Sequence, residues 1–353
     1  MEEISKPIIG ITCGDLNGVG FEVIMKTLID AQILDFCTPV VFATSKVASY
    51  HRKALAMEEM NFHIINSPEQ IHPKKSNLIN CWKEDVNIEY GAITDEVGSF
   101  ALRSIDEGLK AWQAGQIHAL VTAPVNKNNI TPEGKKFTGH TGYIGEVVGG
   151  EPLMILTSQF LRVALVTGHI AISEVAAALS AELITKRINQ LHKSLVEDFG
   201  ISKPKIGVLA LNPHASDGGL MGDEEARSIK PAIDKATESG KLVFGPYAAD
   251  GYFGAETYRQ FDATLAMYHD QGLIPFKTLA FEDGVNFTAG LPLVRTSPDH
   301  GTGYSIAGKG VANEASFRNA LFAAIDILKA RLEHQQLTKN PLKIGHRQRE
   351  ERG

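Results

Sequence analysis

Cysteine is scarce. Cys13, Cys37 and Cys81 are the only three among 353 residues. Their wide spacing offers neither a disulfide framework nor a paired zinc-ligand pattern. Each reads as a small core residue, and a reducing cytoplasm fits this usage best. Long apolar runs are also missing, and no stretch approaches the roughly 20 apolar residues that span a bilayer. The opening MEEISKPIIGITCGD is acidic ahead of a short apolar run. It reads as a first β-strand rather than a signal peptide. Positive charge is not in excess: 35 Lys and Arg face 41 Asp and Glu, a formal net charge of −6, with no long basic block. That argues against nucleic acid or an anionic membrane as the main partner. Internal repeats and low-complexity linkers are absent. What is there is an ordinary soluble composition, 43% hydrophobic and 22% charged. The chain is about the right length for two domains and can bury a large core without disulfides.

Strand-like and helix-like segments alternate along it. The strand-like runs are Ile8 to Thr12, Pro39 to Ala43, His118 to Thr122, Leu153 to Leu156, Arg162 to Val166, Lys205 to Leu211 and Ala263 to Met267. Val, Ile and Leu dominate most of them, as expected for strands covered on both faces. Helical spacing runs over Val97 to Ala114, from Ser173 to about Phe199, over Glu224 to Ser239 and over Glu314 to Gln336. This order predicts an α/β protein with a largely parallel sheet. The polar tail, residues 345–353, reads as frayed.

Three histidines each close a strand-like run: His169 in ALVTGHIAIS, His214 in GVLALNPHASDGG and His269 in ATLAMYHDQG. In an α/β fold, ligands bind in the crevice at the carboxyl ends of the strands. Three imidazoles there suit a divalent metal with a position left open for substrate. They lie 45 and 55 residues apart and there is no HExxH signature, so spacing alone says little. His51, His63, His72, His118, His192, His334 and His346 sit in polar or helical surroundings and read as incidental. In FTGHTGYIGE, His140 and Thr141 occupy a Gly-flanked turn before a helix, where free N–H groups can face an anion. GDLNGVGFEV follows the first strand but lacks both GxGxxG and a Walker lysine, so a structural turn and a ligand contact are equally open. The densest stretch, Ala266 to Asn313, holds Lys277, Asn286 and Arg295 among Gly and Pro. It suits a loop cage for phosphate or carboxylate.

Five segments together are specific: GHTGYIGE, LNPHASDGGLMGDEE, AMYHDQGLIPFK, GVNFTAGLP and RTSPDHGTGYSIAGKG. They resemble, in order, the signature segments of the PdxA family, the 4-hydroxythreonine-4-phosphate dehydrogenases of vitamin B6 biosynthesis. The similarity runs from about Pro7 to Ile327. DHGTGYSIAGKG also resembles the adenosine-binding loop of the wider isocitrate and isopropylmalate dehydrogenase superfamily. The resemblance implies an isocitrate/isopropylmalate dehydrogenase-like α/β fold with an active-site cleft between two domains. One would be discontinuous, residues 1–135 plus 288–353 on the cofactor side. The other, residues 136–287, would carry metal, substrate and dimer contacts. It further implies NAD- or NADP-dependent oxidation of the C3 hydroxyl of 4-phosphooxy-threonine, giving a β-keto acid that loses CO₂. His169, His214 and His269 would hold one Zn, Co or Mg ion per site, with ligands drawn from both subunits of a homodimer. His140, Thr141, Lys277, Asn286 and Arg295 would hold the substrate, and His300, Gly301, Ile306 and Gly308 the cofactor. Lys277, Asp250 and Asp270 are the candidates for the general base. The chain departs from the family in GDLNGVG, where GDPAGIG is usual, and in Asn126 of TAPVNK, where a histidine is common. A branch of the family acts on phosphoerythronate or phosphothreonate isomers. A metal-dependent hydrolase or a silent metal-binding protein would not need the adenosine loop.

Overall fold

The computed structural model describes residues 6–131, 137 and 139–340. The expected frayed tail lies outside them. The strands are β1 (Ile8–Thr12), β2 (Thr38–Ala43), β3 (His63–Ile65), β4 (Asn77–Asn80), β5 (Ala119–Thr122), β6 (Leu153–Thr157), β7 (Arg162–Leu165), β8 (Lys205–Leu209), β9 (Leu242–Tyr247), β10 (Ala263–Ala266), β11 (Val285–Ala289) and β12 (Val294–Pro298). The helices are α1 (Gly20–Leu28), α2 (Ile33–Phe36), α3 (Ser45–Ala54), α4 (Asp95–Gln113), α5 (His140–Val148), α6 (Ile172–Ala178), α7 (Ala181–Glu197), α8 (Lys230–Glu238), α9 (Ala249–Gly254), α10 (His269–Leu279) and α11 (Ala315–Thr338).

The described strands form one sheet in the order β3-β4-β2-β1-β5-β12-β11-β6-β7-β10-β8-β9. The first six are mutually parallel, and so are the last four. Between them the direction reverses at β12–β11, at β11–β6 and at β6–β7. Three reversals leave the two parallel blocks pointing in opposite directions. Their carboxyl ends therefore lie at opposite edges of the sheet. This corrects the expectation of a single crevice along one carboxyl edge.

Alternation along the strands divides the core by face. On one face a continuous apolar cluster joins Ile9, Ile11, Val41 and Phe287 to helices α1, α7, α8 and α11. On the other face there are two separate clusters. One packs Phe42, Leu120 and Leu293 under α4 and α5. The other packs Val163, Leu165 and Leu209 under α9 and α10. The gap between them falls over the central strands, where the exposed face turns polar.

Most expected strands are present within two residues of their predicted ends. The predicted helix from Ser173 to about Phe199 is two helices. Leu179 leaves helical geometry, with ψ 118, and Ser180 starts a new helix by accepting a bond from the Leu183 N–H at 3.1 Å. Glu174 caps the first, bonding the Ala171 N–H at 3.0 Å. The helix expected from Glu224 opens with a wide π-type turn, Glu225–Ile229, before α8. Of the two expected domain limits, 135/136 lies at residues outside those described, and 287/288 falls within β11. Cys13 and Cys37 are buried, Cys81 is half-buried, and all three are free. Burial pushes the Cys13 and Cys37 thiols up to about 12. Among the described residues, no helix is long and apolar enough to cross a membrane.

Candidate active site

The gap between the two apolar clusters is a cavity of about 520 Å³. Its floor is set by strand register. Arg295 lies opposite Thr288, Asn286 opposite Ser297, and Leu120 beside Arg295. Hence Thr122, Asn286, Thr288, Arg295 and Ser297 share one face. Arg295 is 2% exposed. Its Nε donates to Thr122 Oγ1 and its Nη1 to Thr288 Oγ1, both at 3.1 Å. Among the described residues no carboxylate pairs with it. Burial accordingly pushes its pKa down to about 9. A buried cation served only by hydroxyls is costly unless an anion joins it.

Around this floor stand Lys127, His140, Thr141, Arg187, His169, His269, Lys277, Asp299, His300 and Gly301. His140 opens α5 after Gly139, whose φ is +93. A Cβ at residue 139 would sit 2.9 Å from Lys127 Cε, so glycine both permits the backbone and lets the lysine pass. Burial, then Arg295 and Lys127, holds the His140 pKa well below its ordinary value, so the ring is neutral. The buried atoms His140 Nε2, Asn286 Oδ1 and His300 Nε2 have no partner among the described residues. Orphaned polar atoms around a cavity mark where a ligand's polar groups would go. Lys277, near the end of α10, donates to the Asp299 carbonyl at 3.0 Å and lies 3.4 Å from its carboxylate. Among the described residues, four basic side chains (Lys127, Arg187, Lys277 and Arg295) thus face one carboxyl group, that of Asp299, whose pKa burial raises and Lys277 draws back down.

The predicted metal ligands divide. His169, beyond β7, and His269, first residue of α10, meet with ring centroids 5.4 Å apart. Asp270 Oδ1 lies 2.7 Å from His269 Nδ1. That contact orients the ring and leaves Nε2 free, the usual arrangement behind a metal-bound imidazole. Burial, then Lys127 and His269, lowers the His169 pKa and favours the neutral form that binds metal. His214 does not join them. It is exposed, outside the cavity, in a turn where four consecutive non-glycine residues are left-handed. Such residues cost roughly 1–2 kcal/mol each. Among the described residues no three His, Cys, Asp or Glu side chains are grouped to hold a metal. Of the three general-base candidates, Lys277 lines the cavity. Asp270 is exposed and engaged with His269, and Asp250 is exposed on α9, beyond β9 at the sheet edge.

The predicted cofactor loop adjoins the cavity at His300 and Gly301. It is tied to the first loop and α1. Val19 N–H donates to the Thr302 carbonyl at 2.8 Å, Tyr304 Oη to Asp15 Oδ2 at 2.8 Å, and Ala312 N–H to Glu22 Oε1 at 2.8 Å. GDLNGVG is therefore occupied as a structural turn. Gly308 has φ +75, and a Cβ there would lie 2.4 Å from the Tyr90 ring, while Ile306 is exposed. Lys127, Arg187 and Thr122 escaped the sequence reading. The polar alternation in VNFTA and VRTSP was the available signal for the floor.

Fold and cavity together define a class: a mixed α/β protein whose central strands carry a cationic, imidazole-rimmed cleft suited to a phosphorylated or carboxylated small molecule. The chain belongs to the PdxA family. Residues 35–324 match its model, described as pyridoxal phosphate biosynthetic protein PdxA. It is 49% identical to a 4-hydroxythreonine-4-phosphate dehydrogenase of Bacteroides thetaiotaomicron, over 97% of this chain and 94% of that protein. It is 38% identical to an Oceanobacillus iheyensis protein named provisionally as a D-threonate 4-phosphate dehydrogenase, over 91% and 98%. The crystal structure of 4-hydroxythreonine-4-phosphate dehydrogenase from Klebsiella pneumoniae matches with a TM-score of 0.77 at 32% identity, covering 92% of this chain and 98% of that one.

Proposed function

We propose that this chain is a nicotinamide-dependent dehydrogenase that oxidises the C3 hydroxyl of 4-phosphooxy-L-threonine in the pathway to pyridoxal phosphate. The carrying observation is Arg295, a buried guanidinium without a carboxylate partner among the described residues, in a cavity where four described basic side chains face one described carboxyl group. Such a site asks for a ligand with more than one negative charge, such as a phosphate and a carboxylate. Arg295, Asn286, His140 and Thr141 would bind and orient it, with Lys277 at the reacting end. In its neutral amine form, Lys277 Nζ would be the candidate to take the hydroxyl proton. His300 and Gly301 join the cavity to the loop proposed to hold NAD or NADP, so hydride would leave C3 towards that side.

His169 and His269 would hold a divalent ion, zinc or cobalt fitting imidazole best. When bound, the ion lowers the pKa of the substrate hydroxyl and stabilises the negative charge left when CO₂ departs. His214 would come from the second subunit of a homodimer, which accounts for its outward position. Asp250, exposed on α9, would act as a general base only across that interface. We assign residues 1–135 plus 288–353 to a cofactor-side unit, residues 136–287 to a metal and substrate unit, and the enzyme to the cytoplasm.

The test is reduced-nicotinamide formation from 4-phosphooxy-L-threonine with NAD or NADP. Activity should vanish with chelator and return with zinc, cobalt or magnesium. No reduced cofactor from any phosphorylated hydroxy acid, metal supplied, would overturn the reading. A sibling activity on D-threonate 4-phosphate or phosphoerythronate has one point in its favour. Among the described residues, Asp299 is the one carboxylate lining the cavity that could meet the substrate ammonium, and Lys277 already engages it.

A further inference from the structure

The turn that carries His214 is held in an unfavourable shape by a device outside the cavity. His214, Ala215, Ser216 and Asp217 have φ values of 52, 52, 61 and 45. Local sterics oppose such a run in L-residues. It persists where the surroundings over-determine it, commonly at functional sites. Here a carboxylate fixes the entry to the turn. Glu225 is 5% exposed, in the π-type turn that precedes α8. Its Oε1 accepts from the Leu211 and Asn212 backbone N–H groups, both at 2.8 Å. Its Oε2 accepts from Asn212 Nδ2 at 2.9 Å, and that amide also reaches Glu224 Oε2 at 2.7 Å. Burial alone would raise the Glu225 carboxyl. The Asn212 backbone and side-chain bonds help outweigh that and hold it low, so it is ionised. Ser216, at the centre of the left-handed run, is buried. His214 and Asp217 on either side of it remain exposed. The Met221 N–H closes the turn on the Ser216 carbonyl at 3.1 Å.

We propose that Glu225, with Asn212, is a positioning residue that locks the left-handed turn so that His214 projects from the molecule as a preformed metal ligand for a second copy. Neither residue touches substrate or metal. The inference rests on the metal-site reading above, so its test separates the two.

The full-length protein is prepared as wild type, Glu225→Ala, Asn212→Ala, Glu225→Gln and His214→Ala. Two readouts are taken: titration with Co²⁺ alone, followed by its visible absorption, and backbone amide exchange over residues 211–221. Glu225→Ala and Asn212→Ala should each weaken Co²⁺ binding about 10–100-fold, the range for removing a group that orients a ligand. They should also speed exchange in 211–221 while exchange in β1 and α11 stays as in the wild type. Glu225→Gln keeps an acceptor for the two backbone N–H groups and should lose less. Asn212→Ala removes only the amide contacts, so it reports even where Glu225→Ala does not fold. Wild-type exchange and wild-type Co²⁺ affinity in Asn212→Ala and in any folded Glu225 variant would overturn the proposal. Wild-type Co²⁺ binding by His214→Ala would instead overturn the metal reading, and amide exchange would still judge the clamp.

Discussion

Arg295 is where stability and function oppose each other most directly. Among the described residues its buried charge is paired only with hydroxyls, so it burdens the folded state until an anion arrives. Arg295→Met should therefore leave the melting temperature unchanged or raise it. The same change should raise KM for a phosphorylated substrate by about 10–100-fold, the worth of charge-assisted bonds. A melting point lowered by several degrees with KM unchanged would make Arg295 a structural residue. His51 supplies the pH prediction. It is fully buried, stacks on Phe21, and accepts from or donates to Tyr90 Oη at 2.9 Å. Burial lowers its pKa from 6.5 to about 3. Between those values the unfolded chain takes up a proton that the folded chain cannot. Stability from this group is complete above the unfolded value and falls as pH drops through the window, by up to about 1.4 kcal/mol per pH unit. Urea midpoints at pH 7 and pH 5 should converge more for His51→Asn than for the wild type; equal losses in both proteins would contradict it. This burial was not legible, because His51 lies among polar neighbours on a helix whose inner face is known only once α3 is packed. Lys127 was hidden for a related reason. It lies in the loop after β5, and the missing Cβ at residue 139 leaves room for its side chain in the cavity.

At the scale of elements, strands of Val, Ile and Leu were legible because burial on both faces demands them. β11 and β12 were not, because one face of each lines the cavity and carries Asn286, Thr288, Arg295 and Ser297. A strand that alternates towards a polar site resembles a loop when it is only five residues long. The break between α6 and α7 was missed because SAEL continues helical spacing, and only the Ser180 cap reveals a restart. Ser180→Ala should cost about 1 kcal/mol in urea unfolding, with KM for substrate unchanged. The cofactor loop gives a second element-level prediction. Gly308→Val would meet both a left-handed φ and the Tyr90 ring at 2.4 Å. It should raise KM for the nicotinamide cofactor several-fold while KM for the phosphorylated substrate holds. Parallel changes in both would mean that the loop serves the whole cavity rather than the cofactor.

For the whole molecule, alternation of strands and helices was enough to reach an α/β fold, and the ordered motifs were enough to reach the family. The reversal of the sheet was not legible. It depends on β11 and β6 pairing antiparallel across residues far apart in sequence, and no local signal encodes it. That reversal splits one face into two apolar clusters and opens the cavity between them. The three-histidine pattern was read correctly as strand-end residues. Only two of the three meet within the chain, since β8 lies beyond β10 from the cavity and its exit loop turns outward. The central claim is that this cleft takes a phosphorylated amino acid bearing a C3 hydroxyl. The most direct measurement is kcat/KM for 4-phosphooxy-L-threonine against D-threonate 4-phosphate and phosphoerythronate, with the same cofactor and metal. The account predicts a preference of at least about tenfold for the amino acid. A preference of about a hundredfold for either hydroxy acid would contradict it.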